Sequence, residues 1–246
     1  MNTYQRIQKD EAHLWEKVFE TKNLGDESIL TYSMASPDNP NSNQLFYWGD
    51  DKGFNETIKQ AAQLYRDIGC NGYFRTTTPL TSPNKKEALR ESYLISSKES
   101  VVSIDEDKSH KIVFYEDVLN NDDFLRVFCA AFDMSKKGGE QFAERMKGIA
   151  SKIKGSRFFT VYCGNEAVTV GGVFPTENYD FLMNLGTLPS LQNKGHARET
   201  LLQLVKLTEK DIVFRTANDA LIKGIAPKCG FRQVAETFIY SMSGSE

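Results

Sequence analysis

The clearest chemistry in the chain lies between Leu185 and Ala197, in the run LGTLPSLQNKGHA. A strand-like stretch, Phe181 to Leu188 (FLMNLGTL), enters a polar loop, and the loop opens a helix at Gly195. The first amides of a helix have no intrahelical partner and sit at the positive end of the macrodipole, so such a junction suits a phosphate or diphosphate. Gly195 and Ala197 are small enough to let a ligand approach the main chain. Lys194, His196 and Arg198 surround the junction, and the first carboxylate after them is Glu199. The same glycine would also serve a tight strand-to-helix turn with no ligand, and on the string alone the two readings stand side by side.

Other chemistries find less support. Cys70, Cys129, Cys163 and Cys229 are far apart and form no C-x-x-C pair, which argues against structural zinc, iron–sulfur clusters and a secreted disulfide framework. With only His13, His110 and His196 there is no His-x-x-x-His pair, and no G-x-S-x-G elbow accompanies a serine. No metal is expected. Thirty Lys and Arg against 33 Asp and Glu give a net charge of −3, which disfavours a dedicated nucleic-acid binder. No apolar run approaches the ~20 residues of a bilayer span, and the first 20 residues lack the apolar core of a signal peptide. The expectation is a cytoplasmic protein without membrane or nucleic-acid partners, monomeric or homodimeric.

The elements that position the junction follow from hydrophobic periodicity. Tyr4 to Phe19 and Phe54 to Ile68 read as helices, the second stopped by Gly69. Ser28–Met34, Gln44–Trp48 and Gly72–Thr76 read as strands, and Tyr93–Ser96 with Val101–Ile104 as a hairpin. After a charged link, Lys111 opens a second series. It runs through a strand, a helix over Asn121–Phe132, a linker over Ser135–Glu140, a helix over Gln141–Ile153 and the hairpin FFTVYC-GNE-AVTVGGVF. Then come the Phe181 strand, a helix over Gly195–Thr208, a strand over Ile212–Phe214, a short helix over Asp219–Ile225 and a tail, Phe231–Met242, with room for two strands. The fold class is α/β with a mixed sheet (α+β), divided into a smaller α/β domain over 1–110 and a second domain over 111–246.

Thr187, Pro189, Gln192, Gly195 and Ala197 occupy the positions of a V-x-P-x-x-(Q/R)-x-x-G-x-(G/A) signature. With its flanks, the stretch from about Ile112 to Met242 resembles the GNAT superfamily of acyl-CoA N-acyltransferases. The resemblance implies a GNAT-like fold for the C-terminal half and acetyl-CoA (coenzyme A) as cosubstrate. It implies main-chain contacts from Leu185 and Thr187 to the pantetheine arm. Gln192, Asn193, Lys194, Gly195, His196 and Ala197 would cradle the pyrophosphate, with Arg198 beside them. It also places Asn218 near the cofactor and makes the Leu188 amide an oxyanion donor. Gly186, inside the strand, fits a bulge or bend that parts two strands for the ligand.

Two departures touch catalysis. Where the family often has a tyrosine four residues before a Gly-Phe pair (here Gly230-Phe231), this chain has Ala226, and the spacing from Asn218 to Gly230 is one residue longer than the common pattern. Tyr240 and Cys229 are the substitute acids to weigh against a packing role. Glu177 and Asp180 are the candidate bases, to be weighed against a turn. In the first half, Phe46–Thr76 repeats strand, loop, helix, strand, but its loop is GDDKG, whose carboxylates repel a diphosphate. That half reads as a degenerate, non-binding GNAT-like domain in which Tyr65, Trp15 and Trp48 are core. Two functions follow: an N-acetyltransferase acting on a small-molecule or peptide amine, or a non-catalytic CoA-binding sensor or interaction protein.

Overall fold

Asn2 starts the first helix through a reciprocal cap, its side chain accepting the Gln5 amide at 2.9 Å while the Gln5 side chain accepts the Asn2 amide at 2.8 Å. In the computed structural model, described over residues 1–80, 87–96, 109–116, 118 and 121–242 and for the main chain only at Asp51 and Ala88, the chain divides into two units. One comprises residues 1–93 with 233–246, the other residues 94–232.

The first unit contains α1 (Thr3–Glu16), β1 (Glu20–Asn23), β2 (Ser28–Tyr32), β3 (Gln44–Tyr47), α2 (Asp51–Ile68), β4 (Tyr73–Thr76) and most of β5 (Glu87–Ser96). The long tail strand β11 (Phe231–Ser241) completes it. Its strand order is β1-β2-β3-β4-β11-β5. β3 and β4 pair in parallel across α2, so Phe46–Thr76 is the β-α-β crossover read from the sequence. α1 stops at Glu16, three residues short of the expected end, and the next residues form β1, a polar and largely exposed strand whose ETKN sequence has no apolar alternation to announce it. The tail is one unbroken strand, antiparallel to β4, where two short ones had room. The expected Val101–Ile104 arm lies outside the described residues.

Tyr65 is buried, and its hydroxyl donates to the Thr31 carbonyl at 2.7 Å. Trp48 is buried with Trp15 packed beside it, so these aromatics are core. A buried ion cluster, in which Arg75 bonds Glu91 at 2.9 Å and the Tyr93 hydroxyl while Tyr93 donates to Glu11 at 2.6 Å, joins α1 to β4 and β5.

The second unit begins with β6 (His110–Tyr115), α3 (Asp122–Ala131), α4 (Lys136–Ala150), β7 (Arg157–Cys163) and β8 (Glu166–Pro175). β9 (Asp180–Thr187), α5 (His196–Leu207) and β10 (Ile212–Thr216) follow. Its strands run β10-β9-β8-β7-β6, antiparallel except for the β9–β10 pair. α4 starts earlier than expected: Ser135 caps it by accepting the Gly138 amide at 3.1 Å, so the glycine-bearing stretch read as a linker is its first turn. β8 is buried from Ala167 to Phe174 and contacts both α3 and α5, so helices cover both faces of this sheet. Leu201, Leu202, Leu204 and Val205 of α5 enter one core with Phe159, Val161, Leu182 and Phe214. This is the mixed α/β class expected. Among the described residues no helix is long and apolar enough to cross a membrane.

Candidate functional site

β9 is hydrogen-bonded along nearly its whole length to β8, but to β10 only at its start. The β9–β10 register consists of Asp180 with Ile212 and Phe181 with Val213; from Leu182 to Thr187 no further pairing with β10 exists. The strands therefore part into a V whose closed end is at Asp180 and whose open end is at the loop after Thr187. A bulge sits on β9 opposite Gly171, between the Gly172–Met183 and Val170–Gly186 pairs, and Asn184 takes a left-handed φ of 56° within it. The bulge is thus at Asn184, not at Gly186. Gly186 lies just past it for a different reason: a Cβ there would come within 2.8 Å of the Ala131 Cβ and 2.7 Å of the Phe132 ring, so glycine lets the end of α3 seat against β9.

Main-chain direction along the open edge is fixed by alternation. The Leu188 amide donates to the Val168 carbonyl at 3.0 Å, toward β8. Backbone groups of successive strand residues point to opposite edges, so Thr187 and Leu185 turn theirs toward the gap. Consistent with this, the Gln192 side chain reaches the Thr187 carbonyl at 3.4 Å. Leu185 and Thr187 thus border the gap with their main chain, whereas the Leu188 amide is committed to the β8–β9 ladder and is removed as an oxyanion donor.

Pro189–Leu191 forms one 3-10 turn, and Gln192, Asn193, Lys194 and Gly195 are all exposed. Asn193 and Gly195 have φ of 64° and 91°. Gly195 is the N-cap of α5 and, having no side chain, gives the helix no cap of its own. No atom lies within 4 Å of a Cβ built there, so the requirement for glycine is conformational, not spatial. The corresponding start of α2 is closed from within, because Asp50 Oδ1 accepts the amides of Lys52 and Gly53, both at 3.1 Å.

The basic side chains near the loop are used unequally. Lys194 is exposed. Arg198 is held by the Glu199 carboxylate, which offsets part of its charge. The His196 side chain turns inward, its Nδ1 2.7 Å from Nε2 of His110, so it offers the loop its main chain only. Ala197 follows as the second residue of α5 and is half-buried. Asn218 acts as a cap, its Oδ1 accepting the amides of Ala220 and Leu221 at 3.0 and 3.2 Å. The extra residue between Asn218 and Gly230 is absorbed as a π-helical turn over Leu221–Ile225, in which the Ala226 amide reaches back to the Leu221 carbonyl.

The acid and base candidates are held in packing or in a turn. Asp180 is buried at the closed end, where β9 and β10 still pair, seven residues and roughly 23 Å of strand from Thr187. Glu177 is exposed in the turn closed by Thr176 and Tyr179. Tyr240 is buried in the core of the first unit, stacked on Phe74, with its hydroxyl accepting the Leu80 amide at 2.9 Å. Cys229 is fully buried and donates to the Arg198 carbonyl at 3.5 Å, and burial pushes its thiol up to about 12. Ala226 is likewise fully buried, which leaves no room for a tyrosine. What sequence reasoning missed is the Asn184 bulge and the pairing of His196 with His110, since both depend on cross-strand register.

No family model and no curated protein matches the chain. Solved structures do. A GCN5-related N-acetyltransferase from Kribbella flavida superposes with a TM-score of 0.70 at 10% identity, covering 100% of this chain and 97% of that one. A conserved protein of unknown function from Staphylococcus epidermidis gives 0.61 at 11% identity over 91% and 93%. A tandem GNAT protein from the clavulanic acid biosynthesis pathway gives 0.57 at 10% identity over 89% and 79%. The chain has the GNAT fold.

Proposed function

We propose that the second unit binds an acyl-CoA, with its diphosphate against the Gln192–Ala197 loop and its pantetheine arm along the open edge of β9, and transfers the acyl group to an amine. The observation that carries this reading is the V between β9 and β10, whose free edge presents main-chain groups of Leu185 and Thr187 and leads directly to a helix start with no side-chain cap. The donor set fits the cosubstrate: amides and carbonyls along an extended gap suit a chain of amide groups, and an exposed, glycine-capped helix start suits a diphosphate. In such a site catalysis is mainly positioning, with the amine held against the thioester carbonyl, backed by amides that meet the developing oxyanion. The attacking amine must lose its proton, and with Asp180, Tyr240 and Cys229 all buried in packing, water is the proton carrier that this reading requires.

Those same burials favour a second reading, CoA binding without efficient transfer. Thermal denaturation with CoA tests what the two share: a ligand at 100 times its Kd stabilises by about 2.7 kcal/mol, so a protein unmoved by millimolar CoA would exclude both. Thiol release from acetyl-CoA over a panel of amines then separates them. Turnover supports transfer, whereas a shift in melting temperature with no thiol release supports the binding role.

A further inference from the structure

Three residues that are distant in sequence converge on the inner side of α5. His110 opens β6, and Cys163 ends β7 directly opposite it in the antiparallel register, so their side chains share one face of the sheet. His196, the first residue of α5, comes down on that face. His110 and His196 are each 8% exposed and Cys163 is half-buried. One ligand atom from each lies within 4.8 Å of the other two, and His110 Nε2 and His196 Nδ1 are 2.7 Å apart.

We infer that His110, Cys163 and His196 form a binding site for a zinc-class divalent ion, with one coordination position left for water or an added ligand. Two imidazoles and a thiolate are the donor set that borderline-soft, tetrahedral Zn²⁺ prefers. A tetrahedral ion with Zn–N near 2.0–2.1 Å holds its two nitrogens about 3.3 Å apart, so the imidazoles need separate by only about 0.6 Å, a small side-chain rotation. The surroundings already orient the ligands. His110 Nδ1 lies 3.3 Å from Ser109 Oγ, a hydroxyl that can accept the Nδ1 proton while Nε2 binds the ion. Gln203 donates to the His110 carbonyl at 3.0 Å, tying β6 to α5 beside the cluster. A metal here would clip the β6–β7 edge to the first turn of α5, one residue from Gly195. The site does not depend on the acyl-CoA reading, because none of its three side chains faces the gap.

The test uses the full-length, chelator-stripped and reduced protein titrated with Co²⁺ under argon. The expected result is one equivalent bound, with thiolate-to-cobalt charge transfer in the near ultraviolet, ligand-field bands of four-coordinate intensity and displacement by Zn²⁺. Cys163→Ser, a near-isosteric change at a half-buried position, should abolish the charge transfer. It should also weaken binding by more than the roughly 10–100-fold typical of outer-shell changes. Cys129→Ser should retain both. Absence of charge transfer in the wild-type protein, or its survival in Cys163→Ser with native circular dichroism, overturns the site. Should His110→Ala fail to fold, the Cys163→Ser comparison still decides the question.

Discussion

The amide of Leu188 donates to the carbonyl of Val168 at 3.0 Å, and this one bond sets the direction of every backbone group on the last turn-free stretch of β9. Thr187, its neighbour, faces the other way, into the gap left where β10 departs. A proline scan therefore gives opposite outcomes at adjacent positions. Thr187→Pro removes an amide that the β8–β9 ladder does not use and should fold, with a stability no lower than that of Thr187→Val, which loses the same 3.0 Å hydroxyl bond to Thr169. It should weaken CoA binding by about 0.5–1.5 kcal/mol, the net value of a hydrogen bond, or about 2- to 12-fold. Leu188→Pro keeps a compatible φ of −45° but strands the Val168 carbonyl, and should lower unfolding stability by about 1–3 kcal/mol. Urea melts with CoA titration calorimetry check both, and equal effects at the two positions would contradict the assigned edge.

Gly195 offers a second discrimination, between space and conformation. Nothing lies within 4 Å of a Cβ at this position, yet φ is 91°. Gly195→Ala should cost about 1–2 kcal/mol through backbone strain, with no steric clash to relieve. Gly195→Asn, a residue that tolerates positive φ, should cost less. Gly195→Glu adds negative charge where the diphosphate would lie, so its CoA-induced thermal shift should vanish while its fold persists. A wild-type shift in Gly195→Glu would place the ligand elsewhere.

The parts of this site written in contiguous residues were legible in advance. The strand–loop–helix junction and the small residues Gly195 and Ala197 are local, and so is the Asp50 cap that closes the equivalent turn in the first unit. Relations set by register were not. Gly186 looked like a bulge or bend because glycine in a strand often marks one, but the bulge is at Asn184 and Gly186 admits the end of α3. Asp180 looked close to the reaction because it enters the right strand, but it enters at the closed end. His196 looked like a loop cation until the β6–β7 register brought His110 beneath it. β1 was unreadable because an edge strand of four polar residues carries no period.

Ala226 occupies the position to which the resemblance assigns a tyrosine, and it is fully enclosed by the core around Leu201 and Phe231. Restoring the tyrosine should not restore a proton donor. Ala226→Tyr overpacks the site, with an expected loss of about 1–3 kcal/mol in urea denaturation and no gain in thiol release. A variant that is stable and faster would show that the π-helical turn over Leu221–Ile225 can open a path for the ring, and would return a side-chain acid to the mechanism.

Cys229 makes a pH prediction whose sign follows from burial. Its thiol is raised from an ordinary 9.0 to about 12, chiefly because the thiolate would lose its solvation, with Arg198 opposing the shift and Glu199 adding to it. Between those values the unfolded chain releases this proton while the folded chain keeps it, so the unfolded state binds fewer protons and stability falls as pH rises. The slope contributed by this one group is about 1.4 kcal/mol per pH unit, or about 2 kcal/mol between pH 9 and 10.5. Cys229→Ser does not titrate in this range and should lose less stability over the same interval, even though it starts less stable at pH 7.5. Urea melts of both proteins at pH 7.5, 9 and 10.5 measure the difference. Parallel pH dependence in the two would mean that alkaline loss comes from other buried groups, of which Tyr115 and Tyr65, both raised by burial, are the next to replace.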